Sequence, residues 1–258
     1  MIRRVLKEEK DKLSSYLKKE LPASSRIIAD IRSFGFESDD FYIYADFWAD
    51  GEIKYIFTVL SGKISIYSYA NEIDIIDIYV FLRDNFIGYR SVQGIEDKIR
   101  DFRRHTLFRE IKSYDIMTCS VKHYKEPEGE LPACREAKPE DLEFIYSLFD
   151  SDSGYSFIPS KRMIEEMIEA GEVFAVKENG AIKACALTLN RAMRHAEVAI
   201  LSAESASNED KLSAIKALCE KLYLKKYRCS VRTDKLEEKS LFKSLGFSKW
   251  DKDLYIAR

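Results

Sequence analysis

The chain has 258 residues, 46% of them apolar, enough for two cored domains of about 100 to 150 residues each. Its 42 Lys and Arg nearly cancel its 44 Asp and Glu, and cutting at Glu130 leaves 21 basic against 23 acidic residues, then 21 against 21. Neither half is a polycation that would coat nucleic acid or an anionic membrane. No run of about 18 apolar residues is present to cross a bilayer, and the charged start MIRRVLKEEKDK is unlike an export signal, so a cytoplasmic chain is expected.

The first half opens with helices. Leu6, Leu13, Leu17 and Leu21 recur at roughly helical spacing among lysines and glutamates, predicting a helix over 5–21 that Pro22 punctuates. Ser24 or Ser25 then caps a second helix that runs to Phe34 and stops at Gly35. Segments 41–47, 53–60 and 63–70 are rich in Tyr, Ile and Phe and are separated by Asp50-Gly51 and Ser61-Gly62, so three antiparallel strands are expected. A helix over 74–86, a strand over 87–92, a helix over 95–104 and a strand over 109–121 follow. The stretch YKEPEGELP, 124–132, has two prolines and no apolar period. It is read as a linker dividing domains 1–127 and 128–258.

The second half is more regular. A strand over 134–137 precedes a helix with Pro139 in its first turn and Glu140 and Asp141 where the helix dipole favours acids. Ser160 caps a second helix, 161–170, stopped by Gly171. Strands 172–177 and 182–190 join through Asn179-Gly180, a strong hairpin signal. A strand over 196–203, a long amphipathic helix over 208–225, a strand over 229–233, a helix over 236–245 ended by Gly246, and a strand over 250–257 complete the chain. The segment Arg32-Ser33-Phe34-Gly35-Phe36 echoes Lys243-Ser244-Leu245-Gly246-Phe247, either a trace of duplication or two ordinary glycine helix stops.

Several chemistries lack their residues. The five cysteines are scattered without a CxxC, which fits reduced core thiols, and His105, His123 and His195 lie far apart, so no metal site is expected. Neither GxGxxG nor GxxxxGK[ST] occurs. The tyrosine-rich strands have too few interleaved cations for a single-strand nucleic-acid platform.

The element order of the second half, its opening REAKPEDLEFIYSLF and its closing EEKSLFKSLGFSKWDKDLYIA resemble the GNAT superfamily of acyl-CoA-dependent N-acyltransferases, with Leu245-Gly246-Phe247 before the last strand as the most recognisable piece. The first half looks like a more diverged copy or a family-specific partner domain. The resemblance implies an α/β (α+β) fold of two GNAT-like domains, each a mixed, mostly antiparallel sheet flanked by helices. It also implies transfer of an acetyl or other acyl group from acetyl-CoA or another acyl-CoA to the amine of a small molecule or peptide. In such a fold, Leu201, Ser202 and Ala203 would align the pantetheine arm. Ser205, Ala206, Ser207, Asn208 and Lys211 would meet the pyrophosphate, Asn208 being a residue type that tolerates positive φ. Glu197 would serve as base, with His195 beside Arg194 as another candidate. Tyr155, in the loop between the first two helices, would line the acceptor site.

Two departures stand against this chemistry. The segment between the central strand and the long helix has neither the glycines nor the arginine of the family's phosphate cradle, and it carries Glu204, Glu209 and Asp210. Phe242 occupies the place of a tyrosine that commonly protonates the leaving thiolate. The competing expectation is therefore a catalytically degenerate GNAT-fold protein that binds a ligand or a partner.

Overall fold

The computed structural model describes residues 1–36, 38–69, 73–85, 87–104, 109–151 and 159–257. Pro22 does not break the helical start where the sequence suggests. A 3₁₀ turn at Lys7–Glu9 leads into α1 (Lys10–Leu17), and a second at Lys18–Glu20 leads into α2 (Leu21–Phe34), which has Pro22 in its first turn, where no N–H is required. Ser24 is not a cap: its hydroxyl donates back to the carbonyl of Leu17. Before these helices lies β1 (Ile2–Arg4), too short and charged to give an apolar pattern.

The rest of the first half follows as β2 (Phe41–Phe47), β3 (Ile53–Leu60), β4 (Lys63–Tyr67), α3 (Ile75–Asp84), β5 (Ser91–Ile95), α4 (Glu96–Ile99) continued by a 3₁₀ turn to Arg104, and β6 (Glu110–Cys119). The second half runs β7 (Cys134–Glu136), α5 (Leu142–Ser151), α6 (Lys161–Glu169), β8 (Val173–Glu178), β9 (Ala181–Ala192), β10 (His195–Ser202), α7 (Asn208–Leu224), β11 (Arg228–Thr233), α8 (Leu236–Ser244) and β12 (Ser248–Ala257). Both halves thus read strand, two helices, three strands, helix, strand, helix, strand.

Residue contacts divide the chain into two units, Met1–Tyr114 with Asp251–Arg258, and Asp115–Trp250. The expected boundary near residue 128 lies inside the second unit. Segment 124–132 is free of helix and strand, as its composition predicts, but ladder pairing rather than linker composition decides where each strand belongs. In the first unit β1, β2, β3 and β4 pair antiparallel in succession, β4 pairs parallel with β5, and β5 pairs antiparallel with β12, Asp253 opposite Ile95. In the second unit β7, β8, β9 and β10 pair antiparallel, β10 pairs parallel with β11, and β11 pairs antiparallel with β6, Cys229 opposite Cys119. The two sheets have one plan, and each takes its sixth strand from the other half of the sequence. The short echo does not follow this plan. Gly35 ends α2 and Gly246 ends α8, whereas the counterpart of α2 is α6.

Each sheet is mixed, mostly antiparallel and flanked by helices. In the second unit one face holds α7 and α8 through Ile215, Leu218, Leu222, Leu241, Phe242 and Leu245, packed on Ala196, Val198, Ile200 and Val231. The other face holds α5 and α6 through Ile145, Leu148, Phe149, Ile164 and Ile168, packed on Val173, Leu187, Ala199 and Leu201. Each such Leu, Ile or Phe contributes about 1.5–3 kcal/mol on leaving water. Gly246 closes α8 at φ +86°, and a Cβ there would lie 1.9 Å from the carbonyl oxygen of His123. The glycine of the LGF triplet is therefore required both by its backbone conformation and by this close approach. Among the described residues no helix is long and apolar enough to cross a membrane.

Candidate active site at the fork between β10 and β11

The parallel pairing of β10 with β11 covers only His195↔Arg228, Ala196↔Cys229 and Glu197↔Ser230. Beyond that point β10 stays paired with β9 as far as Ser202↔Ala184, while β11 stays paired with β6 as far as Thr233↔Asp115. The two central strands part, and a fork opens after Glu197 and Ser230. A register shift in the β9–β10 ladder falls at the same place, between Glu197 and Val198, with Leu189 of β9 as the extra residue, so β9 bends beside the start of the fork.

The ladder also fixes which backbone groups face the fork. The Ala203 amide donates to the carbonyl of Lys183 on the β9 side at 2.8 Å. Strand alternation turns Leu201 the same way, and directs the backbone groups of Val198, Ile200 and Ser202 toward β11. Of the three residues expected to align a ligand arm, Ser202 faces the fork, whereas Leu201 and Ala203 face β9.

On the face covered by α5 and α6, the closed end of the fork carries a buried polar network. Glu197 is fully buried, and its Oε2 lies 2.7 Å from Nη1 of Arg232, itself 4% exposed at the side chain. Nδ2 of Asn190 donates to the same oxygen at 2.5 Å. His195 and Ser230, next along the same face, are joined Nε2 to Oγ at 2.8 Å. Burial, reinforced by the charges of Arg232 and Arg228 against the pull of Glu197, pushes the His195 imidazole down to about 4, so it is neutral at pH 7. Arg232 and Asn190 were not legible as site residues, because they lie 35 and 7 positions from Glu197 and only the strand register brings them to it.

The loop after β10 is closed on itself. Ser207 caps α7, its Oγ accepting from the Asp210 amide at 3.1 Å, while the Ser207 amide donates to the Asp210 carboxylate at 2.9 Å. Ala206 closes a turn onto Ala203, and the Lys211 amide donates to the carbonyl of Ser207. Asn208 is the first residue of α7 and is not among the residues with positive φ, so its tolerance of that conformation is not used. One cation escaped notice in the sequence: Lys183 on β9 donates to Ser205 Oγ at 3.1 Å and pairs with Glu178 at 3.0 Å.

Between the start of α7 and α8 lies a groove of about 290 Å³, lined by Asn208, Glu209, Leu212, Glu237, Leu241 and Ser244 among others. Phe242 does not line it. It is fully buried in the core, its ring 5.0 Å from that of Phe247, and carries no proton to give. Tyr155 lies outside the described residues. Cys119, Cys185, Cys219 and Cys229 are buried free thiols, with Cys134 half-buried.

The matching strands of the first unit close instead. β4 and β5 pair through Ser65↔Gln93, and a Cβ on the next residue, Gly94, would lie 2.7 Å from the carbonyl oxygen of Ile66. The backbones stay in contact at the first step past the last rung.

No protein-family model matches the sequence, and no curated protein matches it. Solved structures do match the fold over the whole chain. A GCN5-related N-acetyltransferase from Sphaerobacter thermophilus gives a TM-score of 0.67 at 12% identity, covering 100% of this chain and 95% of that one. An acetyltransferase of the GNAT family from Colwellia psychrerythraea gives 0.62 at 14% identity, covering 100% and 99%. A tandem GNAT protein from the clavulanic acid biosynthesis pathway gives 0.60 at 7% identity, covering 100% and 98%. The chain has the GNAT fold.

Proposed function

We propose that the second unit is an N-acyltransferase that moves an acyl group, an acetyl in the simplest case, from acyl-CoA to the amine of a small molecule or peptide. The observation that carries this reading is the fork: β10 leaves β11 after Glu197 while keeping β9, which frees a strand edge for the amide-bearing pantetheine arm. That arm would pair with backbone groups of Val198, Ile200 and Ser202. The amides of Asn208 and Glu209, which have no partner within the first turn of a helix, would meet the diphosphate with Lys183 and Lys211. Glu197 would take the proton that the amine loses as its nitrogen bonds to the acyl carbon and the C–S bond breaks. Phe242 supplies no proton, so the departing thiolate would take one from water.

A second reading, a ligand-binding protein without transfer, is favoured by the self-closed loop, in which the Asp210 carboxylate already sits on the Ser207 amide. Titration with acetyl-CoA under thermal unfolding tests the first reading, since a ligand of the folded state raises the melting temperature. No shift at about millimolar acetyl-CoA, far above ordinary affinities for such ligands, sinks it. A shift without thiol release against a panel of amines selects the second.

A further inference from the structure

We propose that Arg232, with Asn190, is a positioning residue that holds Glu197 as a carboxylate at the closed end of the fork. The inference rests on the acyltransferase reading for what the carboxylate does, but not for how it is held.

A glutamate side chain without solvent contact ordinarily gains a proton, because burial disfavours the charged form. A protonated Glu197 would have no capacity to accept one from an amine. The structure places a compensating charge at the one oxygen described: Arg232 Nη1 from β11 at 2.7 Å and Asn190 Nδ2 from β9 at 2.5 Å, both on Oε2. From its own strand the facing titratable group is His195, which is neutral and turned onto Ser230 at 2.8 Å. From α5 and α6 the buried side chains packed on this face are apolar, Ile145, Leu148 and Ile164 among them, and the half-buried Tyr146 of α5 is the titratable side chain packed beside them. Arg232 is thus a cation in direct contact with Glu197, and it is itself buried. The two strands that carry the pair are the two that separate one residue later. The ion pair therefore fixes where the carboxylate stands relative to the opening as well as its charge.

The test reads the charge state directly. In the intact chain labelled with ¹³C at glutamate side chains, the Glu197 carboxyl signal, assigned by its loss in Glu197→Gln, stays that of a carboxylate from about pH 8 down to about pH 5. A protonated signal at neutral pH overturns the proposal. Arg232→Met gives the second measurement. Without the guanidinium, the Glu197 value in the folded state rises above its unfolded value, so stability is kept at low pH and lost as pH rises through the raised value. The melting temperature of Arg232→Met therefore falls further below wild type at about pH 8.5 than at about pH 5.5. Arg232→Lys, which keeps the charge, shows no such widening, and Glu197→Gln with Arg232→Met abolishes it. Equal losses at both pH values would mean that Arg232 only fills space, and would overturn the proposal.

If transfer is observed, the acidic limb of its pH profile moves up by about two units in Arg232→Met and stays in place in Arg232→Lys. If no amine elicits thiol release while Glu197 is held ionised, the acyltransferase reading falls and the positioning of Glu197 by Arg232 stands.

Discussion

Replacing Gly246 with alanine tests the reason the LGF triplet needs its glycine. The new Cβ would lie 1.9 Å from the His123 carbonyl oxygen and 2.9 Å from its carbon, at φ +86°. Ordinary C···O contacts begin near about 3.3 Å, so the segment around His123, or the end of α8, must move by more than an ångström. The positive φ costs about 1–2 kcal/mol for an L-residue, and displacing packed structure costs about 1–3 kcal/mol more. At about 2–4 °C per kcal/mol for a chain of this size, the melting temperature falls by about 5–15 °C. Gly180→Ala is the control, because Gly180 has φ +84° with nothing within 4 Å of an added Cβ. It loses only the conformational part, about 1–2 kcal/mol and about 2–8 °C. Thermal unfolding of both variants, followed by circular dichroism, reads the difference. Equal losses in the two, or a smaller loss at Gly246, would refute the argument from close approach.

Glu209→Gln and Glu237→Gln each remove a carboxylate from the groove between α7 and α8; each tightens acetyl-CoA binding about threefold and the pair about tenfold, less at high salt, by titration calorimetry. Unchanged affinity in the double variant would place the phosphates elsewhere. His195 has its folded value pushed down to about 4 by burial, so it contributes stability that is complete above its unfolded value of about 6.5 and is lost as pH falls through 4, about 3 kcal/mol in all. His195→Gln flattens the stability curve across that window, and an acid slope identical to wild type would count against a buried neutral imidazole.

Local signals in the sequence translated well where one residue type determines one geometry. Asn179-Gly180 turns the β8–β9 hairpin, Ser160 caps α6 by accepting from the Met163 amide, and the long helix begins at Asn208. The errors came where two readings of a residue compete. Pro22 stops one helix or starts another, and the preceding 3₁₀ turn selects the second. Strand β5 begins at Ser91 rather than Ile87, because its register with β4 and β12, not its apolar content, sets its limits. The site was legible only as a region. Glu197 could be singled out as a carboxylate on the central strand, but its burial and its pairing to Arg232 depend on β11 lying beside β10, which no local pattern encodes. The sequence echo was misleading for a related reason: glycine ends many helices, and Gly35 and Gly246 end helices that occupy different places in the repeated plan.

The interchange of the two last strands has a consequence for the order in which the chain assembles. Residues 251–257 are made after β1 to β11, yet they finish the sheet begun by β1 to β5. Meanwhile β6 is made early and waits for β11, more than a hundred residues later, to receive it. A nascent chain therefore carries an incomplete first sheet with β5 as an open edge, a surface prone to wrong partners, until β12 has been made. Cutting the backbone within 124–132 would not release two separate domains, because each fragment would still hold the closing strand of the other.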